Sequence, residues 1–130
     1  MENSYAKVKN YLQELGYQIV QEDEKDGVLV IEKHSEGINK LFLICADPIL
    51  IIQQYLFDIK REDAAIYKSL LMKNQDIIHG AFALDESGKK VLFRDTLQLE
   101  NLDRNEIDGT LKSLALLMSE YQNKIIEFGK

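Results

Sequence analysis

Ile77-Ile78-His79-Gly80-Ala81-Phe82-Ala83-Leu84-Asp85-Glu86-Ser87-Gly88-Lys89-Lys90-Val91-Leu92-Phe93-Arg94-Asp95-Thr96-Leu97 is the stretch that decides the fold class. Two apolar runs flank Asp85-Glu86-Ser87-Gly88, a turn cluster of hairpin length, so Ile77–Leu84 and Lys89–Leu97 are expected to pair as antiparallel strands. Alternation along the first run puts Ile78, Gly80, Phe82 and Leu84 on one strand face. Arg94 and Asp95 invite a reading as a catalytic charged pair, but adjacent strand residues point to opposite faces and do not share a site without a bulge. A cross-strand ion pair or a hydrogen bond to a neighbouring loop is the expectation for them.

Helical periodicity lies on both sides of this hairpin. Before it, Glu62 to Lys73 carries Ile66, Tyr67, Leu70 and Leu71 on one face, behind the acidic pair Glu62-Asp63 that favours a helix N-terminus, and ends near Asn74. After it, Asp103 opens a segment with Glu106 three residues on, an Asp variant of the capping box. The segment continues through Ile107, Leu111, Leu114, Leu117, Met118, Tyr121, Ile125 and Phe128. A helix of about 25 residues reaches about 37 Å, enough to cross a whole sheet face. Gly109 inside it costs about 1 kcal/mol relative to alanine, which so long an apolar stripe tolerates.

Further towards the N-terminus, Tyr5, Val8, Leu12 and Leu15 recur at spacings of three and four and predict a helix from Ser4 that ends at Gly16. Tyr17–Gln21 and Val28–Glu32 read as strands around the charged turn Glu22–Gly27. His34–Gly37 is the next turn. Leu41–Ala46 and Ile49–Phe57 are two further strands, separated by Asp47-Pro48. Both are apolar almost continuously, so they are expected to be central strands or covered by helices, because a half-solvated strand alternates. Pro48 lacks a backbone donor and belongs in a turn, an edge or a bulge.

The predicted order is α-β-β-β-β-α-β-β-α. Strands grouped in hairpins imply an antiparallel sheet with the helices segregated to one face, an α+β fold. At 130 residues the chain suits a single domain, 1–130.

An apolar content of 45% and a charged content of 29% are those of a chain that folds. Asp and Glu outnumber Lys and Arg by 22 to 16, giving a formal charge of −6, so the surface field repels phosphate backbones and anionic lipid head groups. Nucleic acid is not expected as a partner. The six tyrosines at 5, 11, 17, 55, 67 and 121 lack basic interleaving and are assigned to core and interface packing rather than base stacking. Cys45, the one cysteine, lies in an apolar run and is expected to be a buried, inert thiol in a reducing cytoplasm. No signal-peptide pattern opens the sequence at Met1–Lys7, and no apolar run approaches the roughly 20 residues that span a bilayer. The expectation is a cytoplasmic protein without membrane insertion.

Catalytic motifs are absent from the sequence. His34 and His79 stand far apart, and no spacing typical of zinc ligands occurs. Neither form of glycine-rich phosphate loop is present. The cluster Glu22, Asp23, Glu24 and Asp26 lacks the EF-hand spacing and reads as a solvated turn. No catalytic, cofactor-binding or metal-binding residue is assigned, and no cofactor.

The block Leu70-Leu71-Met72-Lys73-Asn74, followed by Ile78–Asp85, Gly88, Val91–Leu97 and Leu102-Asp103 before an apolar helix, resembles the C-terminal half of YbjN-like and class I type III secretion chaperone-like proteins. The N-terminal half corresponds by element order. The string from Gly80 to Asp85 with Phe93–Leu97 is also similar to a bacterial YjfI-type family of unassigned function. The resemblance implies a twisted antiparallel sheet flanked by three helices, often in a homodimer, without catalytic residues. Class I chaperones wrap an extended effector segment around apolar grooves, and YbjN-like proteins are regarded as regulators or adaptors. A protein partner and a homodimer are therefore expected. The second helix and the Ile77–Leu97 hairpin form the expected contact surface, carried by Ile66, Leu70, Phe82, Leu84 and Phe93. The alternative is a small-molecule-binding regulatory domain with a pocket between the sheet and the long helix; an enzyme has no recognised site to rest on.

Overall fold

A computed structural model describes residues 3–130. The helix α1 (Ser4–Glu14) leads into strands β1 (Gln18–Asp23) and β2 (Val28–Lys33), a single 3₁₀ turn at His34–Glu36, and strands β3 (Ile38–Ala46) and β4 (Ile49–Asp58). Helix α2 (Ala64–Asn74), strands β5 (Ala81–Leu84) and β6 (Lys90–Gln98) and the long helix α3 (Arg104–Phe128) complete the chain. This is the α+β order that the sequence predicts. Every neighbouring pair in the six-stranded sheet, ordered β1-β2-β3-β4-β6-β5, is antiparallel.

Each helix starts where a short polar side chain relieves the unpaired N–H groups of the first turn. Asn3 accepts from the N–H of Tyr5 at 2.9 Å, Asp63 from that of Ala65 at 2.9 Å, and Asp103 from that of Glu106 at 3.0 Å. The acidic residue before α2 therefore works as a cap as well as a dipole partner.

Alternation decides which face of the sheet the helices cover. Leu29, Ile31, Leu41, Leu43, Leu50, Ile52, Val91 and Phe93 are buried and form one core with Val8 and Leu12 of α1, Ile66 and Leu70 of α2, and Ile107, Leu111, Leu114 and Leu117 of α3. β3 and β4 are central in the hydrogen-bonded order, as their apolar content suggests, yet their burial alternates. Phe42 and Tyr55, on the far face, remain 37% and 50% exposed. A nearly continuous apolar run here marks a central strand with one face open to solvent.

The hairpin differs from its sequence reading. β5 is four residues long, and Ile77–Gly80 is a bend rather than strand, so Ile78 and Gly80 do not share a strand face with Phe82 and Leu84. Gly80 sits at φ +83°, in the left-handed region that breaks an extended chain. A Cβ there would lie 2.5 Å from Cζ of Phe93, so the backbone also passes too close to the core for any side chain. Elsewhere the shifts are smaller: β1 begins and ends later than expected, at Gln18 and Asp23, and β3 begins at Ile38 rather than Leu41.

Candidate functional site

The bend at 77–80 and the strand after it are held by side chains of two helices. Ser113 of α3 donates from Oγ to the carbonyl of His79 at 2.8 Å and accepts from its N–H at 3.1 Å. Asn74, the last residue of α2, donates from Nδ2 to the carbonyl of Phe82 at 3.3 Å and accepts from its N–H through Oδ1 at 2.7 Å. The carboxamide thus occupies the place on the outer side of β5 that a neighbouring strand would take. Gly109, costly within α3, leaves room for the exposed His79 ring, since a Cβ there would lie 3.3 Å from its Cδ2.

Between α2 and β5 runs a groove of about 360 Å³ lined by Tyr67, Leu70, Leu71, Asn74, Phe82, Ala83, Leu84 and Val91. Leu70 and Phe82 form its buried floor, while Leu71 and Leu84 stand at its lip, 70% and 46% exposed. Three of the five residues assigned to a contact surface from sequence, Leu70, Phe82 and Leu84, meet in this groove. Ile66 and Phe93 do not line it; both are buried in the core. Phe82 also packs on Tyr121, ring centroids 5.9 Å apart, and the Lys73 ammonium lies 5.3 Å from the same tyrosine ring.

Of the lining residues only Tyr67 and Asn74 carry polar side-chain atoms, and Asn74 uses both of its groups on Phe82. The groove has the chemistry of an apolar contact and not of proton transfer or nucleophilic attack. Away from it, Asp95 Oδ2 accepts from Oγ1 of Thr110 on α3 at 2.7 Å while Arg94 is exposed on the other face. The two charged neighbours are separated as expected, but the acid's partner is a helix residue rather than a loop or a cross-strand cation. The Cys45 thiol is half-buried and its pKa is raised by that burial, which keeps it protonated. Among the described residues no group of three His, Cys, Asp or Glu side chains is placed to hold a metal ion, and no helix is long and apolar enough to cross a membrane. The space between the sheet and α3, the expected place for a ligand pocket, is filled by Ile107, Leu111, Leu114 and Leu117.

Sequence reasoning assigned no role to the two side chains that hold the edge strand and the bend before it, Asn74 on Phe82 and Ser113 on His79. Their signal was weak: an asparagine at a helix end, which reads as a terminus, and a serine on the buried side of α3.

The family model CesT_Tir_1 matches residues 1–130. No curated protein sequence matches the chain. Among solved structures, YbjN from E. coli aligns with a TM-score of 0.70 at 11% identity, covering 92% of each chain. A chain of the HopA1-SchA chaperone-effector complex aligns with a TM-score of 0.65 at 15% identity, over 95% of this chain and 98% of that one. A chain of the ExoT-SpcS complex from Pseudomonas aeruginosa aligns with a TM-score of 0.62 at 20% identity, over 92% and 98%. At these identities the likeness shows the fold, which is that of the type III secretion chaperones and YbjN.

Proposed function

The chain belongs to the CesT_Tir_1 family, the type III secretion chaperone family, over residues 1–130, and on that premise we propose that it is a single-domain, non-enzymatic protein-binding module, chaperone-like or adaptor-like. In this reading it works in the bacterial cytoplasm as a homodimer and engages a further protein. The observation that carries the reading is the apolar α2–β5 groove with Leu71 and Leu84 exposed at its lip. Met72 on the same helix and Ile78 just after it add exposed apolar surface, at 64% and 73%. Solvent-facing aliphatic side chains gathered beside an apolar groove are the pattern of a protein contact, because each Å² removed from water contributes about 25 cal/mol. Two of the neighbouring structures, the HopA1-SchA and ExoT-SpcS complexes, support a protein partner for this fold. A protonated, half-buried thiol and no second cysteine suit a reducing compartment.

Light scattering on the purified chain tests the dimer. The expected result is a dimer that Leu71→Asp together with Leu84→Asp converts to a folded monomer. A wild type that stays monomeric at high concentration, with unchanged behaviour in the variant, would remove the groove as a pairing surface.

A further inference from the structure

The sheet face turned away from the helices is a second surface of different character. Phe42 of β3, Ile51 and Tyr55 of β4, and Leu92 of β6 alternate with the buried core positions and point to this open side. Asn39, Lys40, Phe42, Gln53, Tyr55 and Leu92 enclose a hollow of about 300 Å³ on it. Ile44 and Ile51, paired across β3 and β4, continue the apolar floor.

The hollow itself is bordered by cations in a chain of net charge −6. Lys40 lines it and Lys90 and Arg94 lie beside it, while the carboxylates of this face are Asp58, next to Lys90, and Glu32 and Asp23 towards the β1 edge. Asp58 is already engaged: it binds the Lys90 ammonium at 3.0 Å and accepts from the Tyr55 hydroxyl at 2.9 Å. The Lys90 ammonium also stacks 5.0 Å from the Tyr55 ring centroid, so an exposed aromatic side chain is fixed in place before any partner arrives. Among the described residues, Lys40 and Arg94 form no ion pair. Arg94 lies in the same cross-strand row as Gln53 and Phe42.

We propose that this open face docks an apolar peptide segment of a partner protein that carries carboxylates, with the apolar side chains in the Phe42–Tyr55–Leu92 hollow and the acids on Lys40 and Arg94. The inference rests on the reading of the chain as a protein-binding module and specifies the chemistry of its partner. A second copy of the chain fits poorly, because an isologous contact sets the same patch against itself and brings uncompensated cations together. Nucleic acid fits no better: the floor between the cations is apolar and the net charge repels phosphates.

The test titrates the ¹⁵N-labelled full chain with two short synthetic peptides of the same alternating pattern, one leucine–glutamate and one leucine–lysine. The expected result is amide shifts at Phe42, Tyr55 and Leu92 with the glutamate peptide, about tenfold weaker binding of the lysine peptide, and a reversed preference in the Lys40→Glu, Arg94→Glu double variant. Equal affinity for the two peptides, a preference unchanged in the variant, or no shifts with either peptide overturns the proposal. Shifts confined to Leu71 and Leu84 also overturn it, while leaving the protein-binding reading standing on the α2–β5 groove. Peptide-independent, concentration-dependent shifts at Phe42 would assign the face to a second copy and equally overturn it.

Discussion

The side-chain amide of Asn74 and the backbone of Phe82 exchange two hydrogen bonds, donor to acceptor in both directions, at 3.3 and 2.7 Å. One residue at the end of α2 thus does for the edge strand β5 what another strand would do. A bare edge is a template for further pairing, and a side chain that fills it sets helix and strand at a fixed separation. Both residues line the groove that runs between the two elements.

Asn74→Ala leaves the Phe82 N–H and carbonyl without partners in a partly buried place. The expected loss is about 1–3 kcal/mol of unfolding free energy, measured by urea denaturation, together with faster hydrogen exchange at the Phe82 amide. Asn74→Asp keeps the acceptor but sets a carboxylate against the Phe82 carbonyl, so it is expected to be no more stable than the alanine variant. An Asn74→Asp protein as stable as the wild type would contradict this account of the edge.

Phe82 and Leu84 sit two residues apart on one short strand and separate core from contact. Phe82 is buried against Tyr121, whereas Leu84 is half exposed at the groove lip. Removing a buried phenylalanine costs about 3–5 kcal/mol even without a charge, so Phe82→Asp is expected to abolish folding by circular dichroism. Leu84→Asp is expected to keep the monomer's stability within about 0.5 kcal/mol and to weaken self-association alone, read by light scattering across a concentration series.

How much of this was legible beforehand follows from which interactions are local. Caps at Asp63 and Asp103, the apolar stripe of α3 and the turn at Asp85–Gly88 depend on residues a few positions apart, and the sequence displays them. The length of β5 does not. It is cut short because Gly80 must pass over Phe93 and because Ser113, from a helix distant in sequence, takes both backbone groups of His79. Periodicity saw an apolar run at 77–84 and had no means of seeing those partners. The open face was hidden for a related reason: Phe42, Ile44 and Ile51 are as apolar as their buried neighbours, so composition reports a covered strand where the fold leaves one side bare.

Gly80→Ala tests the bend directly. The residue has φ +83°, and a Cβ would meet Phe93 Cζ at 2.5 Å and Cε1 at 2.8 Å, in a core that cannot give way cheaply. A loss of about 2–4 kcal/mol is expected from strain and displaced packing together. Gly88→Ala is the control: it has φ +73° but nothing within 4 Å of the added carbon, so it carries the conformational cost without the clash. Equal losses in the two variants would mean that the contact with Phe93 contributes nothing.

The alkaline limb of stability is expected to depend on Tyr17. Its ring is buried, and its hydroxyl donates to Oε2 of Glu36 at 3.4 Å. Burial first, and then the negative charges of Glu36 and Asp108, raise its pKa well above the ordinary tyrosine range. In the unfolded chain the group ionises near pH 10, whereas in the folded protein it holds its proton to higher pH. A raised folded pKa means that the stabilisation is fully present below the unfolded value and is lost as pH rises from there towards the folded value. Across that window one proton separates the two states, a slope of about 1.4 kcal/mol per pH unit. Tyr17→Phe removes this proton while keeping the ring's packing, so its stability should fall less steeply above pH 10 than that of the wild type. The measurement is a pair of urea titrations repeated across that range, in which the other raised tyrosines and the lysines contribute equally to both proteins and cancel in the difference. Curves that converge with rising pH support the assignment, and curves that stay parallel show that the Tyr17 hydroxyl ionises in the native state as freely as in the unfolded chain.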